Sequence, residues 1–320
     1  MTQNNDIRAI MMKQHLTKFF KIIIGGDYVY NSLQKQLHEM LSESRNLGFG
    51  NIESDVLAYL ALLYNREGMV DSAIDSNRRS HEVSVINEYP AGVYRALNNL
   101  AIDYSRIGDF EESLATFKMA LEICEANTDL TPRMITVCSN IGETLIELNR
   151  YSEARPLFER SMAIYNSLSA KNELNINEWG HISISHLGIA KADIEDNKYK
   201  IARQQVSIAL ETFTNSELVE YTLSAHFALI RIAFLDPETS ESWQDALLRA
   251  EAVQNEQIAR GTLFGDIAYV CLNEARYWLS KGERYLATRY AQTAKQLYVD
   301  IGDLHNQKRA DQVLNKFQSN

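Results

Sequence analysis

The fold is decided by a helix–turn–helix pattern that is clearest in residues 97–120, which read LNNLAIDYSRIGDFEESLATFKMA. Apolar and small residues recur at helical spacing on both sides of Gly108-Asp109, where the helical pattern is interrupted. Because the interruption is short, the two predicted helices turn back on one another as a hairpin. We expect Asp109 to cap the second helix, with its carboxylate accepting hydrogen bonds from the free backbone N–H groups.

The same pattern recurs along the chain. Predicted turns lie near residues 26, 68, 108, 149, 197, 241 and 282, at intervals of 40 to 48 residues. Gly or Asn stands at most of these turns, because a left-handed backbone costs these residues little. The pattern is weakest at 216–256, where Asp236-Pro237 is expected to end a helix early. About seven hairpins are therefore predicted, with small residues where paired helices approach closely and large aromatic residues filling the gaps.

These residues resemble tetratricopeptide repeats (TPRs) of the longer, 40-odd-residue variety, as in kinesin light chains, Rap-type quorum-peptide receptors and bacterial TPR sensor domains. The resemblance covers roughly residues 7–300. It implies an all-α fold of the α-α superhelix type, built as a single solenoid domain over residues 1–320.

A last helix is predicted over residues 303–318, after Gly302-Asp303. It is either a capping helix or the first half of an eighth repeat. Its apolar face carries Ala310, Val313, Leu314 and Phe317. Its other side carries polar residues that suit a cap facing solvent. They are Lys308, Arg309, Asp311 and Gln312.

The resemblance also implies that the first helices of the hairpins line a concave groove suited to a peptide or a partner helix. In such proteins an Asn one turn into the first helix often hydrogen-bonds the backbone of a bound peptide. Asn99, Asn140 and Asn273 stand at that position, and Tyr59 and Gly188 replace the Asn in two other copies. The alternative is that these Asn side chains bond neighbouring helices.

Charged side chains on the same predicted faces complete the candidate site. They are Arg66, Arg95, Arg106, Glu143, Lys191, Arg231 and Arg276. The first three belong to adjacent repeats and are candidates for a basic pocket. Such a pocket would bind an acidic peptide segment or a C-terminal carboxylate. The alternative is that the arginines pair within the chain, with Asp103, Glu143 or Glu147.

Composition limits the classes of function. The 320 residues carry a net charge of -10, which argues against nonspecific nucleic-acid binding because that requires a basic face. Cys124, Cys138 and Cys271 show no metal or disulfide spacing and are expected to be buried as small hydrophobic residues. No signal peptide or membrane span is evident, so a cytoplasmic protein without membrane partners is expected.

The sequence carries no recognisable catalytic motif. Zinc-protease, P-loop, dinucleotide-binding and serine-hydrolase motifs are missing, as is any Cys/His metal spacing. We therefore expect a protein that is not an enzyme and that has no catalytic residues, no metal and no cofactor.

Two functions are consistent with this architecture. The first is an adaptor or scaffold that binds a peptide or protein in its groove. If the groove is not used, a convex-face interface or a homodimer replaces it. The second is a sensory module, and it is suggested by the resemblance to TPR sensor regions. Such a module would stand ahead of, for example, a nucleotide-cyclase domain in a larger bacterial signalling protein, or would act as a peptide-responsive regulator. In that case the ligand would change the superhelical pitch.

Overall fold

The computed structural model describes residues 2–25, 28–170, 179–214, 219–259 and 264–316. Within these ranges the chain forms fifteen α-helices, one short 3-10 helix and no strand, which confirms the predicted all-α fold. The chain divides into two compact units, unit 1 (Met1–Leu130) and unit 2 (Thr131–Asn320).

Unit 1 contains six α-helices and the 3-10 helix Thr128–Leu130. The α-helices are α1 (Thr2–Gly25), α2 (Tyr30–Asn46), α3 (Gly50–Arg66), α4 (Val70–Ile86), α5 (Pro90–Ile107) and α6 (Phe110–Ala126). Helix α3 packs against α4 and α5 against α6, and α4 also packs on α5. Leu16, Leu37 and Leu57, from the first three helices, are buried in one shared apolar cluster.

The described residues of unit 2 form nine α-helices. They are α7 (Arg133–Glu147), α8 (Tyr151–Ser169), α9 (Trp179–Glu195), α10 (Tyr199–Thr214), α11 (Val219–Leu235), α12 (Trp243–Ala259), α13 (Phe264–Ser280), α14 (Arg284–Asp300) and α15 (Leu304–Asn315). Successive helices pair as α7/α8, α9/α10, α11/α12 and α13/α14. Helices α9, α11 and α15 also pack against the helix before them, so each hairpin covers the apolar face of the next.

Residues 68, 108, 149, 197 and 282 each lie in a short turn between two helices. The residue at each has a positive φ, as predicted for Gly and Asn, and reaches 83° at Gly108. The next backbone N–H donates to the carbonyl five residues earlier, as from Asp109 to Tyr104 at 2.9 Å. This bond satisfies a carbonyl that the helix end would otherwise leave open. The predicted turn near 26 includes residues outside the described ranges.

The connection near residue 241 is longer than the turns at 68, 108, 149, 197 and 282, and the helix before it ends at Asp236-Pro237, where the sequence predicted an early end. Helix α11 ends at Leu235, and α12 begins only at Trp243. The side-chain Oδ1 of Asp236 accepts a hydrogen bond from the backbone N–H of Glu238 at 3.0 Å. This turn, together with the proline that cannot continue the helix, accounts for the early end.

The capping role predicted for Asp109 is wrong. Asp109 occupies the N-cap position of α6, but its side chain accepts no hydrogen bond from the helix. By contrast, Asp303 at the start of α15 accepts one from the backbone N–H of Asn306 at 2.9 Å. The two positions also differ in burial, because Asp303 is buried and Asp109 is exposed.

Close packing around Phe158 shows why small residues recur in the pattern. Phe158 of α8 is fully buried between Gly142 of α7 and Gly188 of α9. A Cβ atom on either glycine would lie only 2.6 or 2.1 Å from the ring. The backbone of Gly188 therefore packs against α8, although its place in the repeat is that of the groove asparagines.

Other expectations concern membranes, metals and cysteines. No helix in the described ranges is long and apolar enough to cross a bilayer. The described side chains also form no cluster of three or more His, Cys, Asp or Glu residues able to hold a metal ion. Cys124, Cys138 and Cys271 are buried, as predicted.

Candidate functional site

The residues predicted to line a groove all lie on the first helices of their hairpins. They are Tyr59 and Arg66 on α3, Arg95, Asn99 and Arg106 on α5, Asn140 and Glu143 on α7, Lys191 on α9, Arg231 on α11, and Asn273 and Arg276 on α13. Arg231 is buried, and the others are partly buried. Partial burial places these polar side chains at the edge of the helix packing, where a ligand can reach them.

A cavity of about 500 Å³ lies in unit 2. Its lining is Ile146, Glu147, Asn149, Tyr151, Arg231, Asn273, Arg276, Tyr277, Leu279, Ser280, Arg309, Gln312, Val313 and Lys316. The predicted residues Arg231, Asn273 and Arg276 therefore meet in one space. Most of the lining comes from the first helices α7, α11 and α13 and from α15, so this cavity is the candidate site.

Arg231 is held in place by two neighbours on α13. Its Nε donates to Glu274 Oε1 at 3.1 Å, and its Nη2 donates to Glu274 Oε2. Its guanidinium carbon lies 3.5 Å from the centre of the Tyr277 ring. Burial alone would lower the pKa of Arg231, but the Glu274 carboxylate raises it. Arg231 therefore stays charged, with its donors directed at Glu274.

Lys191 and Glu143 belong to a cluster of charges beside the cavity. Burial lowers the pKa of Lys191, and the carboxylates of Glu143, Glu147 and Glu274 oppose that shift. The Tyr221 hydroxyl donates to Glu143 Oε2 at 3.4 Å. Carboxylates of two helices, α7 and α13, thus partly offset the effect of burial on the Lys191 ammonium.

Asn273 and Arg276 face the cavity from α13. The buried Oδ1 of Asn273 accepts no hydrogen bond from any residue that the structure describes. Arg276 Nη1 lies 3.6 Å from Glu147 Oε2, which is the intramolecular pairing considered as the alternative for this set of arginines. A carbonyl acceptor and a guanidinium side by side can bind a backbone N–H and an anion.

Helix α15 forms one wall of the cavity. Arg309, Gln312, Val313 and Lys316 line it from this side. The expectation that Arg309 simply faces solvent is therefore wrong, because this side chain is partly buried over the cavity. Ala310 and Val313 are buried as predicted, whereas Phe317 lies outside the described residues. Helix α15 thus contributes to the site as the first helices do.

In unit 1, Arg95 is paired within the chain. It forms an ion pair with Asp55 of α3, and its guanidinium carbon lies 5.8 Å from the centre of the Tyr89 ring. Burial raises the pKa of the neighbouring Tyr59 hydroxyl, and the charge of Arg95 opposes this. Arg95 and Tyr59 therefore lie together, although the carboxylate partner is one that the sequence did not single out.

Asp103 is the most deeply buried acid on the first helices of unit 1. Its Oδ1 accepts from Asn65 Nδ2 at 2.6 Å, and its Oδ2 accepts from Asn77 Nδ2 at 2.7 Å. Burial raises the pKa of Asp103 to about 6, while these two bonds and the charge of Arg106 oppose the shift. Arg106 therefore acts on an acid that two amides already satisfy.

The three arginines proposed for a basic pocket have different surroundings. The charge of Arg66 acts on the phenol of Tyr28, whereas Arg95 pairs with Asp55 and Arg106 acts on Asp103. Asn99 and Asn140 are partly buried on α5 and α7. The excess of cations is found instead around the cavity of unit 2.

Sequence reasoning missed Glu274, Tyr277 and Arg309. Arg309 had a usable signal, because it is the sixth residue of α15 just as the predicted Arg95 is the sixth residue of α5. Treating α15 as a first helix would have found it. Glu274 and Tyr277 had none, because only the packing of α11 on α13 makes them partners of Arg231.

Comparison with known proteins agrees with this architecture. The sequence profile of the tetratricopeptide repeat matches residues 53–126 and 92–167. Residues 53–167 match tetratricopeptide repeats. It is 28% identical over 157 residues to a clustered mitochondria protein homolog of Emericella nidulans, a match that covers 44% of this chain and 12% of that protein. It is 25% identical over 168 residues to outer dynein arm-docking complex subunit 4 of Danio rerio, covering 52% and 31%. The match thus spans less than a third of either relative.

Solved structures extend the similarity beyond the profile match. The apo form of RapI superposes with a TM-score of 0.63 at 15% identity, covering 89% of this chain and 99% of that chain. A Rap protein complexed with competence and sporulation factor gives 0.61 at 12%, covering 86% and 73%. The Rap conjugation gene regulator of plasmid pLS20, in complex with the Phr* peptide, gives 0.54 at 14%, covering 87% and 77%. These similarities establish a TPR-like, α-α superhelix fold class.

Proposed function

We propose that the chain is a non-catalytic adaptor or scaffold that binds a peptide or protein segment, and that the cavity of unit 2 is its binding site. The acidic segment or C-terminal carboxylate expected from the sequence, and a cytoplasmic location, belong to the same proposal. Two of the Rap proteins of similar fold were solved with bound partners, one of them named as a peptide. That precedent concerns those proteins and serves here as support.

The observation that carries the proposal is the unsatisfied acceptor of Asn273. A buried carbonyl oxygen without a donor costs free energy, and a ligand N–H placed there would recover it. Asn273 also stands at the repeat position where the sequence predicted contact with a peptide backbone. The cavity, at about 500 Å³, is within the size range of ligand sites, roughly 300–1,000 Å³.

The test is selection from a pool of random octapeptides by the full chain, with retained peptides identified by mass spectrometry. We expect the wild type to retain a defined subset, and Asn273→Ala to weaken its dissociation constants about 5- to 10-fold, as for one hydrogen bond. Asn99→Ala is the matched control, since it removes the same side chain at the equivalent position of unit 1. If no peptide is retained, the proposal fails, and a convex-face interface or homodimer takes its place.

A second function, a ligand-responsive sensory module, is favoured by one observation. Helix α15 lines the cavity together with α13, so a ligand would contact the last described helix of the chain directly. A ligand that binds one arrangement of α15 better than another would shift it toward that arrangement. Hydrogen exchange of the α15 backbone, measured with and without a selected peptide, tests this role: unchanged exchange excludes it.

A further inference from the structure

Helix α1 is basic, although the whole chain has a net charge of -10. It carries Arg8, Lys13, Lys18 and Lys21, against the one carboxylate of Asp6. These side chains are all exposed. Within the described ranges, no carboxylate forms an ion pair with any of the four cations. Their positive charge is therefore open to an anionic partner outside the chain.

The two sides of α1 differ in what they contact. One side is buried in the apolar cluster that α1 shares with α2 and α3, through Met12, Leu16, Phe19 and Ile23. Exposed residues recur three or four positions apart on the opposite side and form an outer stripe of Ile7, Ile10, Gln14, Lys18 and Lys21. At a rise of about 1.5 Å per residue, this outer stripe is about 21 Å long.

The outer stripe is apolar in its first half and cationic in its second. Ile7 and Ile10 are 53% and 57% exposed, and Met11 beside them is 53% exposed. A group of large apolar side chains in water favours a surface that buries them. Lys18 and Lys21 follow along the same side of the helix. The partner that fits must therefore offer apolar and anionic groups next to each other.

We propose that the outer stripe docks α1 on the surface of a bilayer that contains anionic lipids. Ile7, Ile10 and Met11 enter the boundary between headgroups and acyl chains, and Lys18 and Lys21 lie among the lipid phosphates. The inference goes beyond peptide binding in unit 2 and does not depend on it. The expectation of no membrane partner was based on the lack of a spanning segment, and a helix that lies on a membrane surface needs none.

The kind of cation favours a lipid surface over a protein partner. Three of the four cations of α1 are lysines. Protein interfaces are depleted in Lys and enriched in Arg. The long apolar stem of a lysine can follow the acyl boundary while its ammonium stays among the headgroups. A fluid bilayer also adapts to charges that are spread along a helix, whereas a protein partner would need carboxylates at matching positions.

The experiment is co-sedimentation of the full chain with vesicles. One set contains phosphatidylcholine alone, and the other contains equal parts of phosphatidylcholine and the anionic lipid phosphatidylglycerol. We expect binding to the mixed vesicles and little binding to the neutral ones. Binding should weaken as salt is added, because screening reduces the attraction between the lysines and the phosphates.

Two double variants test the two halves of the outer stripe. Lys18→Gln with Lys21→Gln should weaken binding to the mixed vesicles about 25-fold, since each basic residue near an anionic surface contributes about 5-fold. Ile7→Ser with Ile10→Ser should weaken it about 10- to 100-fold through lost burial of apolar surface. Urea unfolding checks that both variants remain folded, as expected for exposed positions.

The chain offers a matched control for each half. Lys118→Gln removes the same charge from an exposed position on α6 of the same unit. Ile201→Ser with Ile208→Ser removes two similarly exposed isoleucines from α10. Neither control should change vesicle binding. Insertion is read separately with Ile10→Trp, whose added fluorescence should shift to shorter wavelength with the mixed vesicles, whereas Ile201→Trp should show no such shift.

Three outcomes overturn the inference. The first is that the chain does not bind the mixed vesicles at low salt. The second is that it binds neutral and mixed vesicles equally, or that neither double variant weakens binding more than its control does. The third is a dimer in solution that Ile7→Ser with Ile10→Ser dissociates, without vesicle binding by wild type, which would show that a second copy covers the stripe. None of these residues lines the cavity, so each outcome leaves the proposed function to its own test.

Discussion

Units 1 and 2 share one hairpin pattern but treat the charges on their first helices differently. In unit 1, Asp103 is buried between Asn65 and Asn77, and Arg95 pairs with Asp55. In unit 2, cations exceed carboxylates around an open cavity. Both units contain a buried amide oxygen without a described donor. In unit 1 Asn65 Oδ1 and Asn77 Oδ1 belong to the amides that bind Asp103, whereas in unit 2 Asn273 Oδ1 belongs to a side chain that lines the cavity.

The contrast is sharpest at one position of the repeat. Asp103 and Tyr277 each precede the left-handed glycine of their hairpin by five residues, Gly108 in one case and Gly282 in the other. The carboxylate accepts hydrogen bonds from two amides, while the ring stacks on the Arg231 guanidinium. The repeat position places the side chain between helices, and the type of side chain decides which partner it takes.

The largest effect is expected from breaking the buried ion pair of unit 2. Glu274→Ala leaves Arg231 buried without its anion and should lower the free energy of unfolding by about 3–5 kcal/mol. In unit 1, Asp55→Ala removes the partner of Arg95, whose side chain is 33% exposed, and should cost about 1 kcal/mol or less. Urea unfolding measures both, with hydrogen exchange over α11 and α5 to locate the change.

A double variant separates loss of the pair from exposure of a lone charge. Arg231→Met with Glu274→Leu replaces both charges by apolar groups and should recover most of the stability lost in Glu274→Ala. Equal losses in the free energy of unfolding for Glu274→Ala and Asp55→Ala would show that burial does not make the ion pair of unit 2 more important for stability than that of unit 1.

Asp103 should make unit 1 sensitive to pH. Burial raises its pKa from 3.8 to about 6, so the folded state holds a proton that the unfolded state has lost between these values. Its contribution to stability is therefore complete below about pH 4 and is lost as the pH rises through 6. The free energy of unfolding of wild type, relative to Asp103→Asn, should fall by about 2 kcal/mol over this window.

Urea unfolding at several pH values between 4 and 7 checks this sign. Asp109→Asn, the same substitution at an exposed position of unit 1, is the control. A difference between wild type and Asp103→Asn that stays constant across the window would contradict a raised pKa at this buried carboxyl.

Close packing in unit 2 predicts opposite effects for one substitution at two glycines. Gly188→Ala places a Cβ 2.1 Å from the Phe158 ring and should cost about 1–3 kcal/mol. Gly265→Ala meets only Ile301 Cδ1 at 3.5 Å, so its better helix propensity should stabilise α13 by about 0.5 kcal/mol. Thermal unfolding compares the two variants. A stabilising Gly188→Ala would mean that Phe158 has room to move.

Moderate to small effects are expected at the turns, where unit 1 uses glycine and unit 2 also uses asparagine. Gly108 has a φ of 83°, so Gly108→Ala should destabilise its hairpin by about 1–2 kcal/mol. Asn149 has a φ of 59°, and Asn149→Gly should change the stability by only a few tenths of a kcal/mol. Equal losses of stability for Gly108→Ala and Asn149→Gly, measured from urea unfolding midpoints, would contradict the view that backbone conformation alone determines the effect of these substitutions.

The sequence by itself determined the helices, the turns between them and the apolar face of each helix. Local chemistry is sufficient for these, because a left-handed turn needs Gly108 or Asn149 wherever it occurs and an amphipathic helix shows its period within a few turns. It also placed Arg231, Asn273 and Arg276 on first helices, and they meet at the cavity. The repeat is a local rule applied many times, so one copy predicts the others.

Only the tertiary structure decided which of these side chains pair with other residues of the chain. Arg95 and Arg231 were both predicted to line the groove, yet one pairs with Asp55 across two helices and the other is fixed by Glu274 and Tyr277. Such partners come from helices that lie about forty residues apart, as Asp55 and Arg95 do. The spacing of residues within one helix does not show which residues of another helix will lie beside it. The open cavity and the wall that α15 contributes therefore form only when the helices pack.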